Sequence, residues 1–414
     1  MIKNIKYYLD RRKVVNRMLK NWFLYSLKEF FRKNGENKED VIIFVRMNAR
    51  TRFYNFGSVL QRKQNIRTIL VTQVFEYDFQ RQAFDEIKIF LSYSHLKRIV
   101  SRYGEKYNII VLIASLQPAA QALVLLNMDR YWPVFIDHYD SLWCLSYFSK
   151  KATEKSDTFT NISQEEINAE RFCFENADGI IARSGTLLRL IEENHIKTPI
   201  YLIEDKCNKK FFQPVIPHNG PKRSEWSVVY AGIFYPMNFD KNLAGDTQFV
   251  PLGRFFAEER IHFNLYPSPH HNYQYPEYYE EASRNPYFHI HSAVDFDKVH
   301  QEINQYDFGW NSIDFSRSIL FSETSRKYEL SLKFYTYLEA GLPVIINGLL
   351  ERSKRIISET GCGFIFENET PQGLRKAIES QDMIQMKKNV IRARESLEID
   401  TISDELFEFL QNPR

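Results

Sequence analysis

Apolar residues are spaced in two ways along this chain. Between residues 41 and 204, short apolar runs alternate with stretches in which apolar residues recur every three or four positions. The runs VIIFVR (41–46), RTILVT (67–72), NIIVLIA (108–114), WPVFID (132–137), DGIIAR (178–183) and PIYLIE (199–204) have the length and β-branched content of strands. Helical spacing fits near 55–64, 92–103, 118–127, 164–176 and 184–194. Runs apolar at nearly every position are those of strands buried on both faces, so the alternation predicts an α/β fold with a parallel, doubly wound sheet. Residues 206–224 carry Pro214, Pro217, Asn219, Gly220 and Pro221 and read as a linker. A second alternation follows. Its strands are WSVVYAG (226–232), IHFNLY (261–266), YFHIHS (287–292), YDFGWN (306–311), LPVIIN (342–347) and GFIFEN (363–368), with helices at 276–284, 295–304, 332–340, 351–360 and 371–380. Two Rossmann-like units of this kind present strand C-termini to a cleft, where open α/β sheets bind ligands. The division predicted is 1–40, 41–212, 213–390 and 391–414, the last segment being helices that cross back to the first domain.

The first 33 residues differ. Ile5, Leu9, Met18, Trp22, Phe23, Leu27 and Phe30 fall near helical spacing, and residues 1–34 hold ten Lys/Arg against Asp10 and Glu29, a local balance of +8. The formal charge of the whole chain is +3, so the remainder is −5 and no chain-wide nucleic-acid footprint exists. A basic amphipathic helix fits either an anionic membrane surface or the flank of the first domain. The hydrophobic fraction of 44% and charged fraction of 26% are those of a soluble globular chain, and 414 residues suit two domains. No cleavable signal peptide is expected, and the most apolar window, 109–128, is interrupted by Gln117, Pro118 and Gln121. Cys144, Cys173, Cys207 and Cys362 lie too far apart for a zinc cluster or a secreted disulfide framework. A cytoplasmic chain, peripheral on the inner face of the membrane if the basic helix binds it, is the expectation.

Chemistry concentrates at residues 331–346, SLKFYTYLEAGLPVII. Ser331 suits an N-cap, Gly341 a left-handed helix end, and Pro343 forbids continuation into the strand that follows. Apolar residues cover most of this helix, which leaves Lys333 and Thr336 as its polar stripe. A lysine in the first turn of a buried helix, beside unpaired amides, favours an anion such as a phosphate; the plainer reading is a lysine that snorkels to water. Walker, HExxH, GxSxG and GxGxxG motifs are absent, which disfavours a dinucleotide dehydrogenase.

Lys333, Tyr337, Leu338, Ala340, Gly341, Pro343 and Val344 match the signature of GT-B glycosyltransferases of the glycogen-synthase-like clan, which the chain resembles as a divergent, family 4-like member. The resemblance implies transfer of a sugar, hexosyltransferase-like, from a nucleotide-sugar to an acceptor hydroxyl. It places the donor on the second domain, with Gly232 at the end of that domain's first strand. Lys333 and the free amides after Ser331 would complete a diphosphate cradle with Gly232, with Arg317 or Arg326 as extra cations, and Thr336 and Glu329 are carried over as further donor-binding residues. His291, Ser292 and Ala293 lie where the family's loop meets the nucleobase; for His291 and His289, simple alternation across a strand is the other reading. The family's spaced glutamate pair is missing. Thr336 and Tyr328 hold those positions, with Glu329 beside them, and Glu339 is out of register.

Asp137, His138 and Asp140, at the C-terminal end of a first-domain strand, are candidates for deprotonating the acceptor; strand and turn capping is the alternative. Arg46, Arg50 and Arg52 follow the first strand and suit an anion or the surface. Glu165, Glu166 and Glu170 read as a solvated helix face, and Ser184 as a helix cap in a segment resembling the family's. No metal or cofactor is called for, the nucleotide-sugar being a substrate. The expected partners are that donor, a glycan or lipid-linked acceptor in bacterial surface polysaccharide assembly, and an anionic membrane at 1–34. A GT-B nucleotide-sugar 2-epimerase and a catalytically degenerate binding subunit are the alternatives.

Overall fold

The structure, a computed structural model, describes residues 38–48, 51–74, 78–114, 119–138, 141–148, 164–216, 225–239, 247–269, 273–311, 328, 330–348, 350–367 and 372–412. The basic segment 1–34, Arg50, Asp140, Arg317, Arg326 and Glu329 lie outside them. The chain divides into two units. One runs to Glu204 and includes Ile399–Arg414; the other is Asp205–Glu398.

In the first unit, strands β1 (Asp40–Asn48), β2 (Arg67–Val74), β3 (Glu86–Ile89), β4 (Asn108–Ala114), β5 (Val134–His138), β6 (Gly179–Ala182) and β7 (Ile200–Leu202) form one parallel sheet in the order β3-β2-β1-β4-β5-β6-β7. Helices α1 (Thr51–Gln64), α2 (Tyr93–Lys106), α3 (Ala120–Leu126), α4 (Leu142–Phe148), α5 (Gln164–Asn176) and α6 (Gly185–Glu193) connect them. Val41, Ile43 and Val45 lie in the core on one face of β1 with Val111 and Ile113 of β4, while Phe44, on the other face, meets Phe53 of α1 edge-on at 4.9 Å. Burial on both faces explains the uninterrupted apolar runs. The edge strand β3, EIKI, is only partly buried, and for that reason carries no apolar run. Ser92 caps α2 by accepting from the His95 amide at 3.2 Å. Ser184 occupies the N-cap of α6 but makes no side-chain capping bond.

In the second unit β8 (Trp226–Gly232), β9 (Ile261–Pro267), β10 (Phe288–Ile290), β11 (Phe308–Trp310), β12 (Val344–Ile346) and β13 (Gly363–Ile365) form a parallel sheet in the order β10-β9-β8-β11-β12-β13. Its helices are α7 (Val250–Glu258), α8 (Pro276–Arg284), α9 (Phe296–Ile303), α10 (Leu332–Glu339), α11 (Glu351–Thr360), α12 (Leu374–Glu379) and α13 (Met383–Ser396). The last helix, α14 (Ser403–Gln411), belongs to the first unit. Phe409 packs on Phe135 and Tyr201 there, and Asp400 just before it pairs with Arg62 of α1. Both sheets reverse their winding once, between β1 and β4 and between β8 and β11. Such a reversal leaves a crevice outside the strand C-termini.

Candidate functional site

The crevice of the second unit is held open by one hydroxyl. Phe308 pairs with Val228 and Gly309 with Val229, a register that continues to Ala231 N–H and Trp310 C=O as the next bonded pair of a parallel ladder. Instead, the Ala231 amide donates to Tyr337 Oη at 3.2 Å, and Tyr337 Oη donates to Trp310 O at 3.1 Å. Tyr337 is thus a wedge between β8 and β11. Its ring lies flat against Gly309, where an added Cβ would come within 2.1 Å of it. Burial pushes its phenol well above the usual range, so the hydroxyl stays protonated.

Gly232 ends β8 at this opening with φ +154°, and a Cβ there would lie 3.0 Å from Lys333 Cδ. Glycine and lysine, 101 positions apart in sequence, are therefore neighbours. Ser331 caps α10 by accepting from the Lys333 amide at 3.3 Å, and no acidic residue occupies the first turn. Lys333 Nζ sits 5.2 Å above the Tyr230 ring, a cation–π contact that holds it over β8. The positive end of the helix dipole, a cation and a glycine without a side chain thus share one place, the usual makings of a phosphate cradle. As expected, α10 is buried along its length from Phe334, and Gly341 behind it is left-handed at φ +78°.

Thr336 is buried and turns its hydroxyl back to Leu332 O at 3.3 Å. Glu339 lies six residues from Lys333, about 9 Å along the helix axis. It is buried there, accepting from the Asn208 amide at 2.6 Å and paired with His300 Nε2 at 2.8 Å. Glu339 therefore ties helix α10 to the segment that precedes the second sheet. His291 follows β10, with its ring stacked on Tyr266 at 4.3 Å; Ser292 and Ala293 are exposed beside it. His289 instead pairs with His262 at 2.9 Å. Burial lowers the basicity of both His289 and His291. Asn311, at the end of β11, is a residue that sequence reading passed over: it is fully buried, and neither amide atom has a partner among the described residues.

In the first unit Asp137 and His138 end β5, both buried. Arg52 grips Asp137 at 2.8 and 3.0 Å, then reaches Ile203 O at 2.8 Å, joining α1 to β5 and the end of β7. Arg46 is also buried. Complete burial, with Arg183 nearby, depresses His138 to about 3, so its ring is neutral. Its Nδ1 has no partner among the described residues, and Phe174 packs edge-on at 5.3 Å. Glu165 and Glu166 are solvated, but Glu170 corrects the reading of that face. It is fully buried and accepts from Ser141 Oγ at 2.8 Å and the Trp143 amide at 3.0 Å, so it anchors the start of α4. Its spacing from Glu166 did not distinguish the two.

Residues 253–406 match the family described as glucosyltransferase 3-like, C-terminal domain. No curated protein matches the chain in sequence. Among solved structures, sucrose-phosphate synthase from Thermosynechococcus elongatus is 14% identical, covering 90% of this chain and 98% of its own, with a TM-score of 0.60. Anabaena HepE is 12% identical, with coverage of 90% and 99% and a TM-score of 0.61. WaaG is 13% identical, with coverage of 89% and 99% and a TM-score of 0.58. At such identities the likeness establishes the fold, and the family match adds the class: a glycosyltransferase of the GT-B kind. Within that class, the matched domain holds Lys333 and Tyr337, while Gly232 and the first unit up to Glu204 lie outside the match.

Proposed function

We propose that the chain moves a sugar from a nucleotide-sugar donor to an acceptor hydroxyl during assembly of a bacterial surface polysaccharide or glycolipid. The observation that carries this reading is the meeting of Gly232 and Lys333 at the second sheet's crevice. The diphosphate would rest on the first turn of α10, against Gly232 and Lys333, and these groups would stabilise the charge of the departing nucleoside diphosphate. Backbone amides and the lysine do the neutralising in this scheme. Acceptor activation is assigned to the stretch 137–140 of the first unit, where Arg52 orients Asp137 and the neutral His138 ring offers a hydrogen-bond acceptor that orients the hydroxyl. HepE is described in complex with UDP and glucose, and UGT71G1 from Medicago truncatula with UDP-glucose, which supports a nucleotide-sugar donor here. WaaG is described as acting in lipopolysaccharide biosynthesis, which supports a surface glycan as product.

A thermal-shift screen of UDP-, GDP-, ADP- and CMP-sugars on the full chain tests the reading. At least one donor should stabilise the protein, and Lys333→Ala should abolish most of that shift. A shift unchanged in Lys333→Ala would remove the phosphate role of this residue, and an altered sugar formed from donor alone would favour an epimerase. The described residues contain no helix long and apolar enough to cross a membrane. Attachment through the basic segment 1–34 is part of the proposal, and liposome pelleting should lose the protein when those residues are deleted.

A further inference from the structure

Beside the edge strand of the second sheet, Asn264 and Tyr266 of β9 share a face with His291, whose amide bonds Leu265 O at 2.9 Å and so extends the ladder beyond β10. Asn264 is buried, and its Nδ2 donates to Val228 O at 3.3 Å and His262 O at 3.4 Å. That orientation is imposed, because a flipped amide would set its oxygen against two carbonyl oxygens. Asn264 Oδ1 therefore faces His291 Nε2 at 3.0 Å as an acceptor. An acceptor at that distance requires the proton of the neutral ring to sit on Nε2. Tyr306 Oη, 3.3 Å from the same nitrogen, is in turn 2.9 Å from Tyr266 Oη, and Tyr266 stacks on the imidazole with its plane 7° away. Ring plane and tautomer are both set from below. The other nitrogen, Nδ1, is left as a lone-pair acceptor with no partner among the described residues.

His291 sits two strands from Gly232, about 10 Å at the usual strand spacing. That is the order of separation between the diphosphate and the base of one nucleotide. We propose that Asn264 is a positioning residue that holds His291 in its Nε2–H tautomer, and that His291 Nδ1 selects donors whose base offers a ring N–H. Uracil and guanine offer one; cytosine and adenine present a ring lone pair at the corresponding nitrogen, and two acceptors repel. This inference rests on the reading of the second unit as the donor domain.

The test is calorimetric binding of UDP, GDP, CDP and ADP to the full chain, beside ¹⁵N spectra of histidine-labelled protein. In the wild type the better of UDP and GDP should bind at least tenfold more tightly than CDP and ADP, and His291 should show an unprotonated Nδ1. Asn264→Leu should mix the tautomers and shrink the preference below threefold. His291→Phe, which keeps the stack on Tyr266, should shrink the preference equally and identifies the His291 resonance by its loss. Lys333→Ala should weaken all four nucleotides while leaving the preference in place. Binding with a preference unchanged in Asn264→Leu and His291→Phe, or a wild-type spectrum with a proton on Nδ1, overturns the proposal. No binding by any of the four overturns the donor reading itself.

Discussion

Removing one oxygen from Tyr337 tests how the crevice is built. The hydroxyl joins Ala231 N–H and Trp310 C=O across β8 and β11, at 3.2 and 3.1 Å, in a fully buried setting. Tyr337→Phe leaves two buried backbone groups without this partner, at about 1–3 kcal/mol for each group left unsatisfied. The carbonyl has a second lone pair, which reduces its share, so the expected loss is roughly 2–4 kcal/mol in the second unit. One relaxation offsets the loss: the strands can zip one residue further and make the direct bond, which narrows the opening beside Gly232. Either way donor binding suffers. Global melting of two units is not a two-state process, so the assay is hydrogen exchange read on a peptide spanning 226–232, with nucleotide affinity measured in parallel. Unrelaxed strands predict faster exchange at Ala231; zipped strands predict protection retained with affinity lost. A variant whose Ala231 exchange and nucleotide affinity both match the wild type would refute the wedge.

Two further perturbations probe the first unit. Arg52→Met removes the guanidinium that grips a buried carboxylate and should cost up to about 3–5 kcal/mol by denaturant unfolding. Adding Asp137→Leu should restore much of that, and a double variant no better than the single one would mean that the pair contributes otherwise than through charge burial. His138 carries a pH signature. The unfolded chain takes up a proton below about 6.5, whereas the buried ring resists until about 3. Its contribution is thus complete above pH 6.5 and is lost as pH falls, by about 1.4 kcal/mol per unit. His138→Phe should flatten the decline in stability between pH 6.5 and 4.5 by about 3 kcal/mol in total, and identical slopes would refute burial of a neutral ring.

Much of the architecture was legible because it rests on local pattern. Strands buried on both faces must be apolar throughout, so β1, β4 and β8 announce themselves. The edge strand β3 does not, since EIKI is only partly buried. Helix α7 carries Pro251 and Gly253, two residue types that interrupt most helices. Pro251 sits in its first turn, where the missing amide is harmless, and Gly253 admits the Phe288 ring, which lies 2.2 Å from where a Cβ would be. Position along the chain also gave no sign that Glu170 is buried. Only the packing of α4 shows the donors it satisfies.

For the candidate site, sequence alone determined the capped helix α10, its first-turn lysine, the left-handed Gly341 and the resemblance that made a nucleotide-sugar the leading ligand. These are properties of one short segment, set by backbone preference and residue type. Tertiary structure decided what that segment meets. Gly232 beneath Lys333, the Tyr337 hydroxyl inserted between strands, and Asn264 turned toward His291 all depend on the register of parallel strands joined by long crossovers. Register fixes hydrogen-bond partners tens of residues apart, and no local pattern of apolar and polar positions encodes it.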